Sequence, residues 1–143
     1  MAKKTIQFEI ATPERVVLKE EIIQVTIPTT SGDITVLPEH MPIVSVLKPG
    51  VIETKNQKEE IEIMSVSGGF VEVMKDRIVI LADTAERAEE IDEKRVEEAR
   101  KRAEETKKKI RMEDKVEFTE IAVKLEKELA RLRAVDKWRK LKK

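Results

Sequence analysis

The sequence predicts a chain in two parts: a small all-β domain of sandwich or barrel type, then an antiparallel hairpin of two helices. Two observations carry this. All four glycines (Gly32, Gly50, Gly68, Gly69) and all five prolines (Pro13, Pro28, Pro38, Pro42, Pro49) stand before residue 70, and the last 74 residues contain neither. These residues punctuate turns, so their one-sided distribution separates a turn-rich half from a turn-poor one. The apolar period also changes, from every second residue up to about residue 81 to spacings of three and four beyond it. The expected boundary places a β domain in residues 1–83 and a helical domain in residues 84–143.

Taken in order, Ile6, Phe8 and Ile10 alternate with polar neighbours, as on a half-buried strand. Pro13 supports a turn into a short strand at Val16-Val17-Leu18. Ile23, Val25 and Ile27 alternate again and end at Pro28. Residues 29–33 form a turn cluster, followed by Ile34 and Val36. Pro38-Glu39-His40-Met41-Pro42 reads as a rigid loop, because each proline fixes its own φ and biases its predecessor to extended geometry. Residues 43–47 and 51–54 are strands on either side of a Pro49-Gly50 turn. Residues 55–60 are polar throughout and predict an exposed hairpin tip. Strands at 61–66, 70–74 and 78–81 complete about nine, closely spaced, as in a sandwich or barrel. Ser67-Gly68-Gly69 predicts a turn that needs positive φ or a close backbone approach.

Beyond it, Asp83 with Glu86 resembles a helix-start box, and Asp92 can cap a helix directly after it. Val96, Ala99, Ala103 and Ile110 would share one face of that first helix. Around residues 111–115 the stripe breaks, and Asp114 with Glu117 is a second start signal. The second helix would carry Phe118, Ala122, Leu125, Leu129 and Leu132 on one face, with Trp138 and Leu141 nearby. An alanine position buries far less than a leucine, at about 0.8 kcal/mol per methylene, so the seam of this hairpin is thin and mobility is expected.

Composition narrows the chemistry. There is no cysteine, which removes disulfides and thiolate metal sites, and His40 is the sole histidine. No serine or cysteine nucleophile, phosphate loop or metal-ligand spacing accompanies it, so catalysis has no visible machinery. No apolar run approaches a bilayer span, and the start leads straight into a strand pattern, so a cytoplasmic location is expected. Formal net charge is zero, but the first 83 residues hold 9 Lys/Arg against 13 Asp/Glu and the remainder 20 against 16. The tail carries Arg131, Arg133, Lys137, Arg139, Lys140, Lys142 and Lys143 against Asp136. That tail reads either as a solvated helix end or as a surface docking on an acidic protein or nucleic acid. A stand-alone β-sandwich adaptor using the basic hairpin in this way is the alternative function.

The residues resemble one family over nearly the whole chain, the epsilon subunit of bacterial F-type ATP synthases (delta in mitochondria). Gly32-Asp33 through Leu37-Pro38-Glu39-His40-Met41-Pro42, Lys48-Pro49-Gly50, Ser67-Gly68-Gly69-Phe70-Val71-Glu72-Val73, Leu81-Ala82-Asp83-Thr84-Ala85-Glu86-Arg87 and Ala130-Arg131-Leu132 are similar to its segments in order and spacing. The resemblance implies a sandwich of about ten strands and a two-helix hairpin. It implies a non-catalytic rotor subunit bound to gamma and resting on the c-ring, peripheral at the cytoplasmic face of the bacterial membrane. The hairpin would lie folded, or extend from a hinge at about residues 83–91 toward the alpha/beta catalytic head. There Arg131, Arg133, Lys137 and Arg139 are expected to meet acidic segments and restrain ATP hydrolysis. Nucleic acid and direct membrane insertion are not expected of the family.

By the same resemblance Asp33 and His40 correspond to the c-ring contact, with Thr35 and Glu39 standing where glycines are common. Ile91-Asp92-Glu93-Lys94-Arg95-Val96 matches an ATP-binding motif of some members except at its last position. Glu86, Asp92, Arg95, Lys127 and Arg131 are therefore expected around a weakly bound regulatory ATP, with lysine at 127 in place of an arginine. Read structurally, Asp92 is a helix cap and Arg95 a surface cation. No other cofactor and no metal is expected.

Overall fold

The structure is a computed structural model that describes residues 3–110 and 115–142. Ten strands, β1 (Ile6–Ala11), β2 (Val16–Ile22), β3 (Gln24–Thr29), β4 (Gly32–Val36), β5 (Ile43–Leu47), β6 (Gly50–Lys55), β7 (Ile61–Val66), β8 (Gly69–Val73), β9 (Arg77–Ala82) and β10 (Ala85–Arg87), precede a 3-10 turn at Ala88–Glu90. Two helices follow, α1 (Glu93–Lys109) and α2 (Lys115–Leu141). The expected β-sandwich and helical hairpin are both present. The start signal read at Asp114 lies outside the described residues.

The sheet runs β10-β7-β6-β3-β5-β8-β9-β1-β2, with β4 on β3. All pairings are antiparallel except β1 with β9. Its ends approach each other, since Arg87 Nη2 on β10 donates to the Val17 carbonyl on β2 at 3.2 Å. The sheet thus folds into a flattened near-barrel. Alternation decides what lies inside: Ile6, Phe8 and Ile10 point inward from β1, and Val71, Val73, Ile78 and Ile80 do so from β8 and β9. Gly69 sits at φ +118° where a Cβ would lie 2.1 Å from the Leu81 carbonyl oxygen, so the close approach expected at this turn is real.

Three expectations are corrected. Asp83 and Glu86 do not start a helix. Ala85, Glu86 and Arg87 pair with Val66, Ser65 and Met64, adding a tenth strand to β7. Their helical propensity is weak beside the unpaired backbone that β7 would otherwise present. The sheet therefore continues past residue 83, through part of the segment expected as hinge.

The second helix also docks on the sheet by a face beside the predicted stripe, of which Phe118, Ala122, Leu125 and Leu132 are half-buried. Leu129 is 37% exposed, while Ala130, Ala134 and Val135 are buried. Ala134 packs with Ile63 and Ala88, and Val51, Ile61, Ile91 and Trp138 surround them. Ala130 and Ala134 stand four apart, so the face laid on β6 and β7 has small side chains at its centre, which lets the helix approach the sheet closely, and Trp138 one turn further covers its edge. Finally, the helices have 17 and 27 residues instead of about 20 and 25. They are antiparallel, because Arg139 pairs with Glu93 at one end and Lys107 stands 5.2 Å from the Phe118 ring centre at the other.

Candidate functional site

Where the sandwich meets the hairpin, β10, the 3-10 turn, α1 and α2 enclose a cleft of about 440 Å³. Its walls are Glu86, Glu90, Asp92, Arg95, Val96, Ala99, Arg102, Glu128 and Arg131. Four of the five residues expected around a nucleotide are thereby brought together from three elements. Lys127 is not among the lining residues. Its neighbour Glu128 turns in instead, with Arg102 from α1, and neither was singled out from the sequence. A signal was present for both: Arg102 lies two turns beyond Arg95, and Glu128 lies one turn before Arg131.

Local structure explains each placement. Asp92 is the N-cap of α1 and accepts from the Arg95 backbone N–H at 3.2 Å. The structural reading of Asp92 is thus realised while the residue still borders the cleft. Glu86 projects from β10, where Arg131 Nη2 reaches it at 2.7 Å, and Arg131 Nη1 donates to Glu128 at 2.9 Å. Glu90 is paired with Arg15 from the β1–β2 turn at 2.9 Å. Its hydrogen bond to that guanidinium holds the Glu90 carboxyl below the usual carboxylate range. Three guanidiniums within one cleft offer planar, bidentate donors of the kind that suit phosphate, and the volume is that of an ordinary small-ligand site.

The basic tail is engaged in this folded arrangement. Arg131 meets Glu86, Lys137 lies 3.9 Å from Glu53, and Arg139 takes both oxygens of Glu93. Arg133 is exposed, and its Nε donates to the Leu129 carbonyl at 3.4 Å, within its own helix. Asp33, Lys48, Glu53, Arg133, Lys137 and Lys140 border a second groove between β3, β6 and the end of α2.

Asp33 and His40 do not share one loop. Asp33 is exposed within β4, and His40 lies in the β4–β5 connection, where its Nδ1–H donates to the Met41 carbonyl at 2.7 Å. Glu39 adopts φ +68°, the left-handed region where glycine carries no steric penalty. The connection is held at this residue by the Glu39 N–H to the Lys75 carbonyl and by Lys4 Nζ to its carboxylate at 3.1 Å. On the outer face, Val46 pairs with Phe70 and Phe70 with Leu81, and all three are exposed. They form one apolar row across β5, β8 and β9.

Residues 5–88 match the family described as "ATP synthase, Delta/Epsilon chain, beta-sandwich domain", and residues 89–136 match "ATP synthase, Delta/Epsilon chain, long alpha-helix domain". The ATP synthase epsilon chain of Herpetosiphon aurantiacus is 50% identical over 95 residues, 66% of this chain and 69% of that one. The epsilon chain of Desulforamulus reducens is 46% identical over 97 residues, 68% of this chain and 73% of that one. Among solved structures, a chain of the Euglena gracilis mitochondrial ATP synthase, in an OSCP/F1/c-ring assembly, superposes with a TM-score of 0.74 at 25% identity, over 87% of this chain and 79% of that one. A chain from the central stalk and c-ring of the Tetrahymena thermophila enzyme shares the fold, with a TM-score of 0.53 at 18% identity, over 63% and 72% of the two chains.

Proposed function

This chain belongs to the delta/epsilon family of ATP synthase subunits, as an epsilon-type accessory subunit of the central stalk, and on that premise we propose that it couples gamma to the c-ring and restrains ATP hydrolysis through its hairpin. The sandwich is the rigid part of this device. Its exposed row of Val46, Phe70 and Leu81 supports docking against gamma, because a contiguous apolar patch on an outer face marks an interaction surface. Asp33 and His40, near opposite ends of β4, are the residues assigned to the c-ring. Attachment to the cytoplasmic face of the membrane is then peripheral, through these partners. Among the described residues no helix is long and apolar enough to cross a membrane.

The observation that carries the regulatory part is the slight hold between hairpin and sandwich. The buried apolar cluster between the two is small, Ala134 against Ile63 and Ala88 with a rim of half-buried neighbours. The ion pairs around it are partly or largely exposed, and such pairs contribute about 0–1 kcal/mol each. Meanwhile α2 leaves Val116, Val123, Leu129 and Leu141 exposed. A helix with one weakly docked face and further apolar surface suits two alternative partners, here the sandwich and the alpha/beta head. In the extended arrangement Arg131, Arg133, Lys137 and Arg139 are released to acidic groups of the head. ATP in the cleft favours the folded arrangement, since the ligand touches elements that part when the hairpin leaves.

Truncation after Ile91 tests this, because it keeps β10 and the 3-10 turn intact. The shortened subunit is expected to co-purify with gamma while ATP hydrolysis by the reconstituted enzyme rises. An unchanged hydrolysis rate would remove the inhibitory role, and loss of gamma would remove the assignment of the sandwich face. Titration calorimetry of the full chain with ATP tests the ligand, and absence of heat at millimolar nucleotide would remove it.

A further inference from the structure

The end of the molecule that carries Asp33 also gathers positive charge from two elements. Within residues 133–143 six cations stand against Asp136 alone, while the first 83 residues are net acidic. α2 brings Arg133, Lys137 and Lys140 to one side of the groove at this end, and the β5–β6 turn brings Lys48 to the other. Lys48 and Arg133 have no carboxylate partner among the described residues. Lys137 meets Glu53 only at 3.9 Å and Lys140 meets Asp136 at 3.1 Å, with both lysines more than half exposed. Such pairs contribute little, and long side chains in them turn outward at small cost.

The groove measures about 290 Å³, and Asp33, Glu53 and Asp136 stand among its cations. A small anion seated inside would meet those carboxylates, whereas a broad anionic surface laid across the mouth meets the outward-turning lysines. Groups of the kind found at membrane interfaces stand beside them. Trp138, the sole tryptophan, is half-buried with Lys142 Nζ 4.3 Å from its ring centre, and Leu141 is 47% exposed. A tryptophan and a leucine set among lysines suit a headgroup layer, which accommodates an apolar body and a charged tip together. Asp33 gives this end its direction, because on the c-ring reading above it faces the membrane side of the rotor.

Resting on that reading for its orientation, we infer that this end of the folded molecule docks on anionic phospholipid headgroups around the c-ring. Lys48 from the sandwich and Arg133, Lys137, Lys140 and Lys142 from α2 are its charged contacts. The surface is complete only while the hairpin is folded, because Lys48 and α2 border one groove only then. Anionic lipid therefore favours the folded arrangement, in opposition to the acidic groups of the catalytic head, which draw on Arg133 and Lys137 when the hairpin extends.

The test mixes the full chain with vesicles of phosphatidylcholine alone, and of phosphatidylcholine and phosphatidylglycerol in equal parts. Co-sedimentation reads binding, and nitroxide-labelled headgroups that quench Trp138 read its place. Binding and quenching are expected on the anionic vesicles only, and should weaken steeply as salt rises. A cation at such a surface contributes about fivefold in affinity, so Lys48→Gln and Lys140→Gln should each weaken binding by about that factor, with circular dichroism unchanged. Lys101→Gln, which removes the same charge from α1 outside the groove, should bind as wild type does. No binding to the anionic vesicles at low salt overturns the proposal, as does equal binding to both kinds. Wild-type affinity in Lys48→Gln would mean that the tail binds without the sandwich, and overturns the two-element surface. So does a loss in Lys101→Gln as large as that in Lys48→Gln. Tighter binding to duplex DNA than to the anionic vesicles at the same salt would assign the patch to nucleic acid instead. The vesicles hold no c-ring, so failure here leaves the c-ring reading standing. That reading falls separately if purified c-ring in detergent fails to retain the full chain, and the orientation taken from it falls too.

Discussion

Gly69 shows how much a single position can carry. At φ +118° and with Leu81 and Ala82 backbone atoms where a Cβ would stand, Gly69→Ala has no nearby relief. Backbone strain and overpacking together should cost at least about 3 kcal/mol, read as a fall of about 10 °C in thermal midpoint. Glu62 offers the opposite case, a group whose charge is unwelcome. Burial pushes its carboxyl above the ordinary value, against the opposing pull of Arg87. The folded state then binds a proton more readily than the unfolded one, so this group's contribution to stability falls as pH rises through the window from the unfolded to the folded value. Glu62→Gln should therefore be more stable than wild type at pH 7, with the difference closing as pH falls below about 4. Denaturant midpoints at several pH values check this, and a difference that instead grew toward acid would reverse the sign argued here.

Among the elements, α2 decides most, because it lies on β6 and β7 and also packs against α1. Its docking face has Ala134 at full burial. Ala134→Asp places an unpaired charge in that contact, at a cost of about 3 kcal/mol or more, which exceeds what the small patch supplies. The expected result is an undocked hairpin on an intact sandwich. Carbodiimide coupling of the Lys137 amine to the Glu53 carboxylate, 3.9 Å apart, should occur in the parent protein and fail in the variant, as read by peptide mapping. Strand β10 teaches a separate lesson about elements. Three residues with helical character become a strand because β7 has an edge to fill, and neither Ala85, Glu86 nor Arg87 signals this by itself.

For the whole molecule, the two halves have unlike stabilities. The sandwich closes around a core of fully buried isoleucines, valines and Phe8, whereas α1 buries only Val96 and Ala103. Amide exchange should accordingly separate them, with α1 protected far less than β1, β8 and β9, and a saturating adenine nucleotide should slow exchange in α1 and the docked part of α2. Uniform protection across both halves would contradict a mobile hairpin. The sequence by itself determined the sandwich strands and the existence of two helices, because alternation, turn residues and the loss of glycine and proline are local signals of backbone geometry. It also brought forward Glu86, Asp92, Arg95 and Arg131, through a resemblance carried by order and spacing. The tertiary structure alone decided the tenth strand, the face of α2 that docks, the exclusion of Lys127 and the inward turn of Glu128. Each of these depends on where a helix of nearly even apolar character rotates when pressed between a sheet and another helix, and no periodicity within α2 specifies that angle.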